Sequence, residues 1–567
     1  MLPKLREKLA APVYAEDLEV LRDSNNPTDQ AFLYVVFGDK TAGEAAKRAL
    51  LSAKIPEWGG LEKRIRSIQA AVMYDWLYDM LSPSEREQAI GVLKNIIQKD
   101  LTRLEDQGVQ YYFNDMWARG PAFVTVVALA LSGDDKWADK VVASAYRDPK
   151  KAFSPYLGGA IDALNTIAAD TGGGHQVGIT GQPGSGYESM FLIGAGLFIN
   201  AWQSATGEDI VSRTRYFELF PYYLTYAYLN VTPFGEAALQ TLEYITGIAP
   251  EQSASLAHWL INHQGRAKYA LVFRLILGDL TRSVPRSPEE LALPLATYLQ
   301  GADLVVSRTG WSENDLSVFM FARYWDFARF EPESGGVSIY LGGEPLLVRG
   351  ILGKSIYGHY SNSSLWIWRD GRMAKTLGQG STYKNKLNNL DRHTERALTA
   401  ADVLDPDKAE YRPETLVDFS VGVEGVRATT RYERLLKLEG VKRAERTLHH
   451  QGNRVRILDE LEAPKGTRVA WSLRLPEAPV IDGQTITTSN LKITLLHPKA
   501  NVYWSGGEGK ELLGPSGEWH GSNKHGYTAG YSVSAEKASH YGIGYVFAEP
   551  VDQSGRYTFE ALLEIVR

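Results

Sequence analysis

The chain has 567 residues, 44% of them hydrophobic and 23% charged, which is enough to bury one large core or two medium ones. Its formal net charge of -6 disfavours nucleic-acid binding, because nucleic-acid-binding proteins more often carry a basic excess. It contains no cysteine, which excludes disulfides, thiolate metal sites and cysteine nucleophiles.

Helical patterns fill the chain up to about residue 285. Apolar residues at helical spacing cover 68–81, after which Ser82 suits a helix N-cap and Pro83 the first turn of the next helix. Similar patterns run over 86–98, 121–133 and 188–207 with short polar turns between them. This succession predicts paired antiparallel helices stacked in a ring or solenoid.

From Leu304 onward the pattern changes to short runs of alternating apolar and polar residues between Gly, Asn and Asp turns. So many regular strands favour a sandwich of antiparallel sheets. Helices followed by strands indicate an α+β protein with segregated domains rather than βαβ units. We therefore expect a helical domain over 1–295 and a sheet domain over 296–567.

Five segments carry a family resemblance. They are Tyr74–Leu77 with Ser82 and Glu85, Tyr112–Trp117, Gly172–Gln176 with Tyr187, Val337–Val348, and His359–Leu365. In the same order they resemble motifs of the heparinase II/III-like polysaccharide lyase superfamily. The resemblance implies an N-terminal (α/α) toroid, an incomplete barrel, followed by a C-terminal antiparallel β-sandwich that contributes to the cleft.

The resemblance also implies a reaction, the β-elimination of uronic-acid glycans. One group neutralises the uronate carboxylate, a base removes the C5 proton, and an acid protonates the leaving O4. Carried over, Asn114 contacts the carboxylate, His175 binds it or acts as base, Gln176 hydrogen-bonds sugar, and Tyr187 is the acid or both acid and base. Asn114 suits a helix N-cap equally well, and Tyr187 also fits a core position.

The sequence departs from the family at the strand that carries a catalytic histidine and a zinc ligand. Arg329, Glu331 and Glu333 stand there, and Arg349 replaces the zinc-binding aspartate. We expect no zinc and no other cofactor, with Glu331 and Arg349 as a possible ion pair. Arg329 is no base near neutral pH but suits a carboxylate or sulfate. Glu331 and Glu333 would share a strand face and support hydrolysis, unless both are salt-bridged or solvated.

The remaining candidates flank these motifs. His359 is a further candidate base, and the candidates for sugar or anion binding are Trp117, Arg119, Tyr340 and Trp366. The other histidines that we considered, His258, His263, His449 and His450, are expected to be structural.

The leading interpretation is a lyase-like enzyme in which Asn114, His175, Tyr187, Arg329 and His359 line one cleft. The alternatives are a glycoside hydrolase that uses Glu331 and Glu333, or a non-catalytic glycan-binding protein. The expected partner is an acidic polysaccharide or oligosaccharide, with neither nucleic acid nor membrane. The chain as given shows neither an apolar span nor a leader. A cytoplasmic location is therefore expected, or a periplasmic or secreted one after leader removal. The oligomeric state stays open.

Overall fold

A computed structural model of the protein describes residues 2–53, 61–107, 121–144, 197–198, 200–209, 211–213, 216–268, 271–299, 304–322, 335–348, 363, 365–369, 372–373, 416–433, 440–506, 544–551 and 555–566. Its helices precede its strands and its sheets are antiparallel, so the protein is α+β as predicted. Of the described residues, one compact unit holds those up to 225 and 233–292, and a second holds 226–232 and those from 293 onward. The sequence had suggested a boundary between 295 and 296.

The described α-helices are between 7 and 25 residues long. They are α1 (Leu2–Leu9), α2 (Ala15–Arg22), α3 (Pro27–Phe37), α4 (Lys40–Leu51), α5 (Leu61–Trp76), α6 (Pro83–Gln107), α7 (Pro121–Leu131), α8 (Lys136–Ser144), α9 (Tyr216–Tyr228), α10 (Glu236–Ile248), α11 (Glu251–Gln264) and α12 (Leu271–Leu277). Helices α3 and α4, α5 and α7, and α10 and α11 pack in contact. Among the helices of the described ranges, none has both the length and the apolar character that a membrane span needs.

The start of α6 confirms the predicted capping. The backbone N–H of Ser82 donates to Oε2 of Glu85 at 2.8 Å, and the N–H of Glu85 donates to Oγ of Ser82 at 3.3 Å. This reciprocal pair is a capping box, which satisfies two of the N–H groups that a helix start leaves free. The single helix expected over 68–81 is divided, because α5 ends at Trp76 and a 3₁₀ turn follows at Tyr78–Met80.

A buried ion pair lies among the helices. Nη1 of Arg274 on α12 donates to both carboxylate oxygens of Glu243 on α10, at 2.8 and 2.9 Å. Arg266 adds a second contact to Glu243 at 3.0 Å and one to Asp17 at 2.7 Å. Each buried charge here has a neighbour of opposite sign, which is the condition under which burial is tolerated.

The strands that the structure describes form three antiparallel sheets. In chain order they are β1 (Ala296–Leu299), β2 (Leu304–Arg308), β3 (Leu316–Phe321), β4 (Val337–Leu341), β5 (Glu344–Leu347), β6 (Leu365–Arg369), β7 (Arg372–Met373), β8 (Leu416–Gly422), β9 (Gly425–Arg431), β10 (Arg443–Gln451), β11 (Arg454–Glu462), β12 (Arg468–Leu475), β13 (Val480–Asp482), β14 (Thr485–Thr487), β15 (Leu491–His497), β16 (Ala500–Gly506), β17 (Gly544–Pro550) and β18 (Arg556–Ile565). The first sheet has the order β1-β2-β3-β4-β5, the second β13-β14-β15-β18-β11-β10-β9-β8, and the third β16-β17-β12-β6-β7.

The β4–β5 hairpin turns at two glycines. Gly342 and Gly343 both have positive φ, 59° and 81°, a conformation that glycine adopts without steric cost. A Cβ at Gly342 would also lie 2.7 Å from the carbonyl oxygen of Glu313. This position therefore requires glycine, and the turn brings Tyr340 at the end of β4 close to Pro345 of β5.

Strand β12 is buried on both faces, from Val469 to Leu475. On one face Trp471 stacks on Phe559 of the second sheet, with ring centroids 6.5 Å apart. The other face carries Ala470, which packs in a buried cluster with Trp366, Trp368, Tyr545 and Phe547. This double burial makes β12 the centre of the sheet unit and places its polar side chains inside the protein.

Candidate functional site

Most of the predicted site residues lie outside the described residues. This holds for Asn114, Trp117, Arg119, His175, Gln176, Tyr187, Arg329, Glu331, Glu333 and His359, and for Arg349 of the expected ion pair. Their roles, the shared cleft and the absence of zinc therefore stay predictions. The structure does describe the residues that follow two of these segments in the sheet unit, and a candidate site can be built from them.

One buried arginine contacts the residues that follow two of the predicted site segments. Arg446 on β10 has no exposed surface, and its Nη1 donates to the carbonyl oxygens of both Gly335 and Ser363. Gly335 lies just before β4 and two residues after Glu333, while Ser363 lies just before β6 and four residues after His359. One nitrogen therefore holds the two backbones together at the points where these segments enter the sheets.

The charge of Arg446 is fully compensated. Its Nε and Nη2 donate to the two oxygens of Asp459 on β11, at 2.8 and 2.7 Å. The indole N–H of Trp471 donates to the same carboxylate at 2.6 Å. Burial alone would lower the pKa of Arg446, but the attraction of Asp459 raises it above its ordinary value. This bidentate, hydrogen-bonded arrangement is the one in which a buried ion pair is most stable.

A second buried arginine lies next to the first and lacks such a partner. Arg474 on β12 is 2% exposed, and its Nε and Nη1 find no hydrogen-bond acceptor in the described part of the chain. The charge effects on it come from two phenols, those of Tyr545 and Tyr340, and burial lowers its pKa below the ordinary value. A guanidinium with five donors and no acceptor is expensive to bury, so this group requires an explanation.

The backbone of Arg474 ties it to the same segments. Its N–H donates to Oγ of Ser363 at 3.1 Å, and its carbonyl accepts from the N–H of Val348 at 3.0 Å. Ser363 thus contacts Arg446 through its carbonyl oxygen and Arg474 through its hydroxyl. Both arginines therefore hydrogen-bond the same residue, Ser363. They differ in the groups that surround their guanidinium groups.

Two tyrosines flank the Arg474 guanidinium. Tyr545 lies directly opposite on β17, with its ring centroid 5.8 Å from Cζ of Arg474. Burial raises the pKa of Tyr340 to about 12, against the opposing effect of Arg474, and burial likewise raises the pKa of Tyr545. Both phenols are therefore neutral near pH 7. Neutral phenols do not compensate the charge of the arginine.

The predicted role of Trp366 needs correction. Trp366 has no exposed surface, its indole N–H donates to Oγ of Ser472 at 3.0 Å, and its ring lies 5.3 Å from that of Phe547. A sugar cannot stack on a ring that is enclosed in this way. Its place next to a motif segment suggested a sugar-stacking role, but the strand around it is buried, so Trp366 is a core residue.

Tyr340 is the other predicted site residue that the structure describes. It is half-buried at the end of β4, and its ring makes an edge contact with Phe319 at 5.9 Å. Tyr340 and Arg474 influence each other electrostatically. The contact of Tyr340 with substrate stays a prediction.

Two histidines that the sequence suggested to be structural make structural contacts. Nδ1 of the buried His450 pairs with Oγ of Ser307 at 2.6 Å, and its Nε2 with the carbonyl of Gly452 at 2.9 Å. Nδ1 of His258 pairs with the carbonyl of Ser283 at 2.9 Å. Both imidazoles are thus held by neutral groups inside their own unit.

Neither Arg446 nor Arg474 is among the site residues predicted from the sequence. In RVAWSLRLP, Arg474 shares a strand face with Arg468, Ala470 and Ser472, which is the composition of a solvent-facing side. The available signal lies on the neighbouring strand, where two tryptophans occupy the matching face and predict that it is covered. That signal becomes visible once β6 is paired with β12.

Comparisons with known proteins give matches to solved structures only. No family model matches the sequence, and no curated protein does. Among solved structures, heparan sulfate lyase HepC from Pedobacter heparinus is similar with a TM-score of 0.46 and 11% identity over 95% of this chain and 75% of that one. A heparinase III matches with a TM-score of 0.46 and 10% identity, over 95% and 76%. A chondroitinase AC lyase gives 0.39 and 10%, over 100% and 82%.

Proposed function

We propose that this protein is a polysaccharide lyase-like enzyme that cleaves a uronic-acid-containing glycan or oligosaccharide by β-elimination. Its helical half is proposed to be an (α/α) toroid and its sheets a β-sandwich. The family motifs in the sequence, which occur in the family's order, are the first support for this assignment.

One observation carries the proposal beyond the motifs. Arg446 binds Gly335 and Ser363 through a single nitrogen, and these residues follow the segments of Glu333 and His359. A catalytic constellation needs its segments held in fixed relation by supporting hydrogen bonds. A compensated arginine whose donors reach the ends of both segments is the kind of support that such a site requires.

The proposed reaction uses three groups of this chain. Asn114 hydrogen-bonds the uronate carboxylate, which makes the C5 proton more acidic. His175, His359 or Tyr187 removes that proton, and the electron pair forms the C4–C5 double bond as the C4–O4 bond breaks. Tyr187 then donates its proton to the leaving O4. Arg329 contributes to binding of the acidic substrate rather than to proton transfer.

The first experiment is a substrate screen with two readouts. The purified full chain is incubated with heparin, hyaluronan, chondroitin, alginate and glucuronan. The ultraviolet absorbance of an unsaturated uronyl end and the formation of reducing ends are then followed. We expect at least one glycan to give both signals in parallel. Reducing ends without the absorbance would replace the proposal with the glycoside hydrolase. A glycan that stabilises the fold without being cleaved would replace it with the binding protein.

A matched pair of tyrosine variants tests the proton donor. Tyr187→Phe removes the proposed acid and should lower turnover by about 10²-fold or more while leaving the fold intact. Tyr78→Phe is the control. It removes a phenol that donates to Asp134 at 2.9 Å and should leave turnover unchanged. Full activity of Tyr187→Phe, or an equal loss in both variants, would contradict the assignment of Tyr187.

A further inference from the structure

The outer face of the eight-stranded sheet carries charges that are separated along its strands. Backbone pairing places His449 of β10 directly between Arg427 of β9 and Arg456 of β11, and Gln451 of β10 lies opposite Arg454 of β11 in the next row. Residues that alternate with these along the strands are buried, so these side chains lie on the solvent side. We call the surface formed by Arg427, His449, Arg454 and Arg456 the basic face.

The three arginines of the basic face are more exposed than the carboxylates that they bind. Each carboxylate belongs to a flanking strand, β8 or β18. The pairs, with the exposed fractions of the two side chains, are Arg427 with Asp418 at 2.7 Å (56% and 39%), Arg456 with Glu560 at 2.8 Å (54% and 14%) and Arg454 with Glu564 at 3.3 Å (65% and 27%). An exposed guanidinium that binds one carboxylate keeps donors for a second. The outermost layer of this face is therefore cationic.

The other half of the same three strands has a different composition. Its outward residues include three carboxylates and two arginines bound to them, namely Glu445, Glu460, Glu462, Arg431 and Arg443. Among the outward residues of the described strands β9, β10 and β11, the half with the basic face carries no carboxylate, and Glu424 lies beyond it in the β8–β9 turn. The chain has a net charge of -6, so its composition alone does not produce a cationic surface.

We propose that the basic face is a further binding surface for the acidic polysaccharide, made by residues that take no part in the proposed reaction. This inference rests on the proposed function for the class of ligand and adds to it a surface that holds the polymer. Exposed guanidiniums bind carboxylates and sulfate esters alike, and complementary charge speeds the encounter with a polyanion. Beside the row, Thr447 and Leu458 lie opposite each other and provide an uncharged strip for sugar carbons and hydroxyls.

The arrangement favours a polymer over a small anion. A single carboxylate would meet an exposed arginine that already has a partner, and one exposed ion pair contributes little to affinity. A polyanion meets several basic side chains of this face at once, so each further contact forms within a complex that already exists. Several weak contacts on one face then give an affinity that none of them provides alone.

The test compares two double variants on the same sheet face. Arg427→Gln/Arg456→Gln removes two charges from the basic face. Arg431→Gln/Arg443→Gln is the control, because it removes two arginines that are likewise exposed and bound to carboxylates. Binding of the full chain to immobilised heparin, hyaluronan, chondroitin, alginate and glucuronan is measured at fixed ionic strength, with neutral dextran as the blank. For at least one acidic glycan, we expect the dissociation constant to rise about tenfold in the first variant and less than about twofold in the control.

The outcomes separate the binding surface from the proposed reaction. No binding of wild type to any acidic glycan, or an equal loss in both double variants, would overturn the binding surface. Loss of affinity for single-stranded DNA and for no glycan would also overturn it. Affinity that depends on Arg427 and Arg456 without β-elimination would refute the proposed reaction and leave the surface standing. β-Elimination with unchanged affinity in both variants would do the reverse.

Lysine variants separate the effect of charge from an effect on folding. Arg427→Lys/Arg456→Lys keeps both charges but loses the planar fork, so it should bind the glycan within about threefold of wild type. A loss as large as that of the glutamine variant would contradict binding by charge at this face. Urea unfolding checks the fold of all variants, and their midpoints should stay close to that of wild type because exposed ion pairs contribute little to stability.

Discussion

The two arginines that border Ser363 differ in how the described side chains compensate their charge. Arg446 and Arg474 are about equally buried and lie in different sheets. Around Arg446 the fold supplies a carboxylate and two carbonyls for its donors. Around Arg474 the electrostatic effects come from two phenols. Burial of a charge is tolerated where a group of opposite sign lies close, so the two regions should respond differently when a charge is removed.

The largest expected effect comes from breaking the compensated pair. Asp459→Asn removes the countercharge of Arg446 and should lower the free energy of unfolding by about 3–5 kcal/mol, because it leaves a buried cation without its anion. Urea unfolding measures this loss. The double variant Arg446→Met/Asp459→Leu should recover much of it, since both charges are then gone. A loss below about 1 kcal/mol in Asp459→Asn would remove the contrast between the two regions.

A smaller loss of unfolding free energy is expected when acid protonates the buried His450. His450 is buried against neutral partners, and burial with the influence of His449 lowers its pKa below the ordinary 6.5. Its protonation therefore favours the unfolded chain. The stability contribution is complete above pH 6.5 and is lost as the pH falls through the folded-state pKa, by at most about 1.4 kcal/mol per pH unit.

His450→Gln isolates this contribution from that of the carboxylates. The glutamine amide can replace the hydrogen bond to Gly452 and does not titrate. The difference in unfolding free energy between wild type and His450→Gln should be constant well above pH 6.5 and change as the pH falls below 6.5. A difference independent of pH would mean that His450 accepts a proton without penalty in the folded protein.

The smallest effect is expected at Arg474. Arg474→Met removes a charge that has no partner among the described side chains and keeps a stem of similar length. The free energy of unfolding should thus stay within about 1 kcal/mol of wild type or rise. Urea unfolding alongside Asp459→Asn gives the comparison directly. A loss as large as that of Asp459→Asn would make Arg474 a structural residue.

Local signals in the sequence predicted local structure well. Ser82 and Glu85 form the capping box that their spacing indicates, and the Gly342–Gly343 turn joins β4 to β5. The expected helix over 68–81 was too long at its end, because the apolar spacing continues through the 3₁₀ turn at 78–80 and periodicity alone does not separate the two kinds of helix.

The residues of the candidate site could not be predicted from single strands, because the sequence of one strand does not show which of its faces is buried. Trp366 was assigned to sugar binding because it lies next to a motif segment, and Arg474 was overlooked because its strand face carries polar and small residues. Both errors follow from treating one face of a strand as solvent-exposed, when β12 and its neighbours are covered on both sides. Which side of a strand is covered is decided by distant parts of the chain, so single-strand patterns could not reveal it.

The shared nitrogen of Arg446 has a consequence for how this architecture can vary. Gly335 and Ser363 are fixed by their carbonyl oxygens, and a carbonyl is present whatever side chain the residue carries. The tether therefore depends on the arginine and its aspartate being retained together and not on the side chain that Ser363 carries.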